Sequence, residues 1–307
     1  MRIVTLILAA ALLHAESHPS WWTYAEPEAT ALVGIHWETL RDSPFAPAVC
    51  AALADFPGVP LLFESRQILL SSPSMLAILS GSFPVEALRK QALAKGLKPG
   101  NYRGIEMFLA PGGDTLSLAQ LTEQVLLLGS KKTLERAIDR SLAETGRRYS
   151  PLLARAARLA PDYDLWVVAS QLPDELASQF VPLEIEAGGF DGGVSLRGGL
   201  QMGASLDAGS PERSAAVAEN LRRMIPSWPA IARATEVKAD AASVLLTLEV
   251  TSDQLAAALK PPAAPQPAAI ETKKTEEPPP QGPQVIRIFG LDDGPREIVL
   301  PPAKKQN

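Results

Sequence analysis

The chain has 307 residues, a net charge of −5, 46% hydrophobic and 21% charged residues. That balance belongs to a globular protein of about two ordinary domains and excludes a disordered chain. No basic stripe with interleaved aromatics is present, so no nucleic acid partner is expected. Cys50 is the single cysteine, which excludes an intramolecular disulfide and leaves the fold to its core.

Residues 1–15 carry Arg2, an apolar run of eleven residues at 3–13, and Ala15 before a polar stretch. These are the parts of a secretory signal peptide, and the run is shorter than the ~20 residues a membrane span needs. The expected protein is exported, periplasmic or secreted, with no stable membrane span. No Cys follows the run, so no lipid anchor is expected. Residues 16–30 form a lead-in containing Trp21-Trp22-Thr23-Tyr24. Rings clustered in this way either cover an edge of the protein's own core or meet a sugar, a membrane surface or a partner. Trp21, Trp22 and Tyr24 are therefore candidate partner contacts.

A first α+β unit is expected over 31–148. Residues 31–37 alternate, with Val33, Ile35 and Trp37 on one strand face and His36 on the other. Residues 44–55 read as a helix holding Cys50 as a small buried hydrophobe, closed by Phe56-Pro57-Gly58-Val59-Pro60. Strands at 67–71 and 75–82 follow. A helix then starts at Pro84, presents Val85, Leu88 and Ala92, pairs Glu86 with Lys90, and stops at Gly96. After strands at 104–109, 116–121 and 124–128, Ser130 caps a helix with an apolar stripe of Leu134, Ala137, Ile138 and Leu142.

A second unit is expected over 149–260. It has a strand at 165–170, a short helix at 173–180, and a strand pair over 194–206 hinged at Gly198-Gly199. Ser210 and Pro211 open a helix carrying Val217, Leu221 and Ile225. A hairpin at 236–240 and 243–250 comes next, and Thr251-Ser252-Asp253 caps a last helix. The same order of elements thus occurs twice. The predicted fold class is α+β: two similar units of antiparallel sheet plus helices, an internal duplication with the helices on one face.

Residues 261–284 form a Pro-rich linker, with eight prolines in 261–283. Residues 285–301 then read as a C-terminal hairpin turned at Asp292-Asp293-Gly294-Pro295. An isolated hairpin is marginal in water, so this one docks either on its own body or on the sheet edge of an envelope protein. Ile286, Ile288 and Phe289 are its candidate partner contacts.

Little catalytic chemistry is on offer. Beyond the signal only His18 and His36 remain, and with one Cys they cannot assemble a His/Cys metal cluster. Gly203-Ala204-Ser205-Leu206-Asp207 approaches a serine-nucleophile elbow but lacks its second glycine. The acid pairs Asp162/Asp164, Glu184/Glu186 and Asp292/Asp293 have acid–base capacity, yet each fits a turn or a solvated face. The glycine-rich stretches at 111–114 and 188–193 match neither a dinucleotide fingerprint nor a phosphate loop, and read as turns between strands. No catalytic, cofactor-binding or metal-binding residue is predicted.

Several short motifs point elsewhere. Val33-Gly34-Ile35 leads to Leu40-Arg41-Asp42-Ser43-Pro44-Phe45, and Tyr102-Arg103-Gly104 follows. Ile286-Arg287-Ile288-Phe289-Gly290-Leu291 comes late, with Arg296-Glu297-Ile298 behind it. Together with the signal peptide they resemble uncharacterised exported α+β proteins of the kind common in soil Acidobacteria. That resemblance implies export and fold, and it carries no assigned activity over to any residue. The expected function is a non-catalytic envelope module for binding or scaffolding. A carrier of an apolar ligand and a carboxylate-dependent envelope hydrolase are the alternatives.

Overall fold

The computed structural model describes residues 19–43, 46, 47, 50, 59–112, 116–143, 150–171, 188–259, 284–288 and 296–300. Outside them lie the predicted signal, the Pro-rich linker, the helix at 173–180, most of the helix at 44–55, Glu184, Glu186, Asp292, Asp293 and Phe289. Residues Met1–Leu259 form one compact unit and Lys260–Asn307 another. The second unit contains the predicted hairpin, with Gln284–Ile288 paired antiparallel to Arg296–Leu300 and Ile286 opposite Ile298.

The first unit is built on a single antiparallel sheet of twelve strands. They are β1 (Ala31–Ile35), β2 (Ser65–Ser72), β3 (Leu76–Gly81), β4 (Lys98–Tyr102), β5 (Ile105–Leu109) and β6 (Ser117–Thr122). Then come β7 (Val125–Gly129), β8 (Leu165–Ala169), β9 (Phe190–Ser195), β10 (Gly199–Asp207), β11 (Glu236–Asp240) and β12 (Ser243–Thr251). Their spatial order is β11-β12-β10-β9-β8-β1-β2-β3-β7-β6-β5-β4. The two expected units therefore share one sheet, joined where β1 pairs with β8. In each half three sequential strands lead into a helix; β7, ending the four-strand meander β4–β7, then returns beside β3, and β12, ending the hairpin β11–β12, returns beside β10.

Among the described residues seven helices pack on this sheet: α1 (Trp37–Leu40), α2 (Val59–Glu64), α3 (Val85–Ala94), α4 (Lys131–Leu142), α5 (Pro151–Leu159), α6 (Pro211–Met224) and α7 (Ser252–Leu259). Their starts follow local chemistry. The hydroxyls of Ser130, Ser150 and Ser210 accept from backbone amides at the first turns of α4, α5 and α6. Thr251 and Gln254 cap α7 reciprocally, at 3.3 and 3.0 Å. Gly96 ends the α3 segment at φ +80°, where a side chain would be strained. Glu86 pairs with Arg89 at 3.0 Å instead of with the expected Lys90, because Arg89 also bridges to Glu106 on β5.

The helices do not keep to one face, contrary to expectation. On one face, here the upper, α4 and α5 cover Leu32, Leu69, Ile78, Leu127 and Trp166. On the lower face α1 and α3 cover Ile68, Leu79, Leu126 and Leu128, while α6 covers Leu206 and Val244 and α7 covers Leu248 and Val250. β7, Val-Leu-Leu-Leu-Gly, is consequently buried at every position. Such a continuous apolar run is what a strand covered on both sides requires. β12 alternates instead: Val244, Leu248 and Val250 are buried, while Thr247, Glu249 and Thr251 are exposed on the upper side.

Four of the helices and strands, α1 among them, were absent from the sequence expectation. α2 begins inside the stretch expected to close the preceding helix, and no element was expected over the residues of α5. β4 contains Pro99 and Gly100, both poor strand formers, and it is tolerated because it is an edge strand. The strand at 31–37 stops at Ile35. His36 leaves it as the residue before α1, and Trp37 begins that helix.

Candidate functional site

One cross-strand row on the upper face explains where a site can exist. It runs from Met107 through Ala119, Leu127, Ile78 and Leu69 to Gly34, opposite Trp166. It continues through Gly193, Gly203 and Thr247 to Glu236. Every non-glycine position from Met107 to Trp166 is buried, and Thr247 and Glu236 are exposed.

Two aromatic rings sit on glycines along this row. A Cβ on Gly34 would lie 2.0 Å from the Trp166 ring, so the indole rests directly on the β1 backbone. Trp22 then closes over it, with ring centroids 5.2 Å apart, and Trp21 meets Trp22 edge-on at 6.2 Å. Trp22 is 2% exposed, and Trp21 and Tyr24 are half-buried on the same core. Arg140 of α4 fastens this segment by donating to the Tyr24 carbonyl at 3.0 Å. Of the three predicted contact rings, Trp22 is thus placed inside the protein.

The second ring is Tyr163, just before β8. It lies across the facing pair Gly193 and Gly203: a Cβ there would come 2.2 Å from its Cγ and 2.1 Å from its hydroxyl oxygen. Phe190–Gly193, expected as a turn, is therefore strand, and its glycines make room for rings. Tyr163 is half-buried and lines a cavity of about 770 Å³ on the upper face. The floor comes from Ser195, Gln201, Thr247, Glu249 and Thr251, and the rim from Asp162 and Arg197. Gln201 and Glu249 face each other across β10 and β12, the amide donating to the carboxylate at 3.4 Å. Burial, and then the charge of Asp162, push the Tyr163 phenol up from its usual range, so it stays a neutral donor at ordinary pH.

The acid pair Asp162/Asp164 divides its roles. Asp162 is exposed at the rim, whereas Asp164 is 1% exposed and held by neighbours. It accepts from the Leu196 amide and Arg197 Nε, both at 2.8 Å, and from the Ser195 hydroxyl at 3.3 Å. These bonds fix the β9–β10 turn and balance the Arg197 charge, so Asp164 is a structural carboxylate. His36 is beside this cluster. Burial first, then Arg197, lower its pKa, while Asp164 and Glu38 act in the opposite sense.

The remaining motifs have local structural explanations. Tyr102-Arg103-Gly104 is the β4–β5 turn, with Arg103 and Gly104 at φ 51° and 85° and Asn101 accepting from the Gly104 amide. The Ser43 hydroxyl bonds the Leu40 carbonyl at 2.7 Å and helps close α1. Cys50 is half-buried against the lower-face core. Among the described residues no three His, Cys, Asp or Glu side chains converge as a metal site. No helix there is long and apolar enough to cross a membrane.

Sheet and helices together define an antiparallel α+β protein with an open, polar patch of sheet on β10 and β12. No family model matches the sequence, and no curated protein matches it. The fold matches solved structures of TP0453. Crystal form III aligns with a TM-score of 0.52 and 10% identity, over 79% of this chain and 98% of that one. Crystal form I gives 0.52 and 8%, over 79% and 97%. At such identity the likeness is one of fold.

Proposed function

We propose that the chain is an exported, non-catalytic binding module of the cell envelope, and that its binding surface is the cavity beside Tyr163. The observation that carries this reading is the upper face of β10 and β12 beside Tyr163, where Gln201, Thr247, Glu249 and Thr251 are exposed. There a seated aromatic ring and a set of hydrogen-bonding side chains face solvent together. Sites of this kind, with a few convergent polar groups around an aromatic, are where ligands bind. Leu200, Met202 and Val250 border the same region, but they pack on the lower face with Leu248 and Leu255. The cavity is thereby left without the apolar walls a lipid carrier needs. The hydrolase alternative loses one acid, since Asp164 is committed to Arg197 and the β9–β10 turn. Export rests on residues 1–15 and the resemblance they share.

Fractionation of cells expressing the full chain, with mass spectrometry of the purified product, tests the reading. The expected result is an envelope or medium fraction lacking the first fifteen residues. Cytoplasmic recovery of a chain starting at Met1 would remove export. Turnover of a bound compound by the wild type would remove the non-catalytic part.

A further inference from the structure

We propose that the Tyr163 cavity accepts a neutral saccharide ring, stacked on the Tyr163 side chain and held by Gln201, Glu249 and Thr247. This rests on the binding reading above and adds the ligand class. Three features of the cavity lead to it.

The platform is rigid. Gly193 and Gly203 are opposite each other in register, and together they leave a trough that one phenol ring fills against backbone. A ring so seated loses little freedom when a ligand stacks on it, which favours binding. Its hydroxyl makes no hydrogen bond among the described residues, so the donor is open to a ligand.

The floor is suited to hydroxyl groups. Gln201 and Glu249 are exposed side chains facing each other on adjacent strands, and Thr247 stands opposite Gly203. A carboxylate accepts two hydrogen bonds and an amide both donates and accepts. That combination matches adjacent hydroxyls on a sugar, each of which also donates and accepts. A pyranose supplies in addition an apolar C–H face for the aromatic platform.

The charge excludes anions. Arg197 is the cation of the lining, and Asp164 already answers it at 2.8 Å. Asp162 and Glu249 remain as acids in the lining, so a phosphate or carboxylate ligand would meet repulsion. Leu200, Met202, Leu248 and Val250, the apolar side chains of β10 and β12 nearest the cavity, pack on the other face, so an acyl chain gains little here. A neutral polyhydroxylated ring is what these conditions leave. It arrives either as a free sugar or as a unit of an envelope glycan, and chain length separates the two.

The test is isothermal titration calorimetry of the mature full-length protein with glucose, cellotetraose and chitotetraose, beside inorganic phosphate and decanoate. A neutral saccharide is expected to bind, with Tyr163→Ala weakening it about tenfold or more and Tyr163→Phe by much less. Should Tyr163→Ala fail to fold, Glu249→Ala, on exposed floor, provides the reading, with the same direction of loss expected. Preference for a tetraose over glucose assigns a glycan source, and equal affinity a free sugar; either supports the saccharide class. Silence from all three sugars up to about 10 mM overturns the proposal, as does sugar binding unchanged by both substitutions. Phosphate or decanoate binding that Glu249→Ala or Tyr163→Ala alters would overturn the sugar but keep the binding module. Silence from every probe would count against both.

Discussion

Trp166 and Tyr163 are separated by two residues in sequence and are seated in the same way, yet they have opposite fates. Each ring lies on glycine in the upper face of one sheet, Trp166 on Gly34 and Tyr163 on Gly193 and Gly203. Trp166 is roofed by Trp22 and by the helices α4 and α5, and it belongs to the core. Tyr163 stands where that roof ends. Arg155 of α5 reaches as far as Asp191 on β9, with Nε 2.9 Å from the carboxylate, and also donates to the Phe190 and Ala169 carbonyls. Beyond it, the sheet faces solvent. An aromatic on a glycine seat is thus a packing device when covered and a binding surface when open. What decides between them is which helix the topology brings overhead.

The largest effect expected from this difference is in stability. Trp166→Ala removes a ring that is 1% exposed, and should cost about 3–5 kcal/mol in urea denaturation. Tyr163→Ala removes a half-exposed ring and should cost about 1–1.5 kcal/mol, in proportion to the smaller area it keeps from water. Equal losses would show that both rings serve the core, and the distinction between roofed and open seats would go.

The second comparison concerns the seat itself. Gly203→Ala places a methyl group 2.1 Å from the Tyr163 hydroxyl oxygen, so the ring must leave its trough. Overpacking of this kind costs about 1–3 kcal/mol, less if the ring swings into the open cavity. The expected outcome is a modest loss in denaturation midpoint with increased exposure of Tyr163 to chemical modification. Gly34→Ala, under a roofed ring with nowhere to move, should lose more. The reverse ranking would mean that Tyr163 has no free space above it.

Much of this architecture is legible in the sequence, and the parts that are not share a physical cause. The apolar run Val125-Leu126-Leu127-Leu128 and the alternation of Leu246, Leu248 and Val250 with Thr247, Glu249 and Thr251 announce strands covered on two faces and on one. Helices expected on one face throughout overlooked that contrast. α5 also had a signature, with Ser150 as cap and Pro151 in the first turn before Leu152, Leu153 and Ala156. β4 had none, because Pro99 and Gly100 argue against a strand and only edge position permits one. The candidate site was not readable. Gly193 and Gly203 acquire meaning only once register sets them opposite each other beneath Tyr163, and register is a long-range property. The sole local hint was glycine within a strand, which marks a close approach. Trp21-Trp22 stood out instead, and Trp22 serves as a roof.

A smaller effect is expected from pH at the junction of the halves. His36 donates its backbone amide to the Asp164 carbonyl at 2.7 Å, and its imidazole is near Arg197, Asp164 and Glu38. Its folded pKa is below the usual 6.5, through burial first and Arg197 second. The unfolded chain therefore takes up the proton before the folded one as pH falls. Stability from this group is present above about 6.5 and is lost on acidification through the folded value. His36→Gln should flatten that part of the stability curve. An unchanged slope below pH 6.5 would assign it to other groups.

The smallest stability effects belong to the open floor, and their smallness is itself informative. Thr247 and Glu249 alternate on β12 with Leu248 and Val250, so each side chain is next to a buried neighbour in sequence and on the opposite face in space. If the upper face of β12 is free, Thr247→Ala and Glu249→Ala should each change stability by no more than about 0.5 kcal/mol. Leu248→Ala, one position away, should cost about 2–5 kcal/mol. Floor residues kept for binding have no reason to stabilise the fold. Losses at Thr247 or Glu249 approaching that of Leu248 would mean that another part of the chain covers this face. The groove would then be an internal contact, and the asymmetry between the halves would disappear with it.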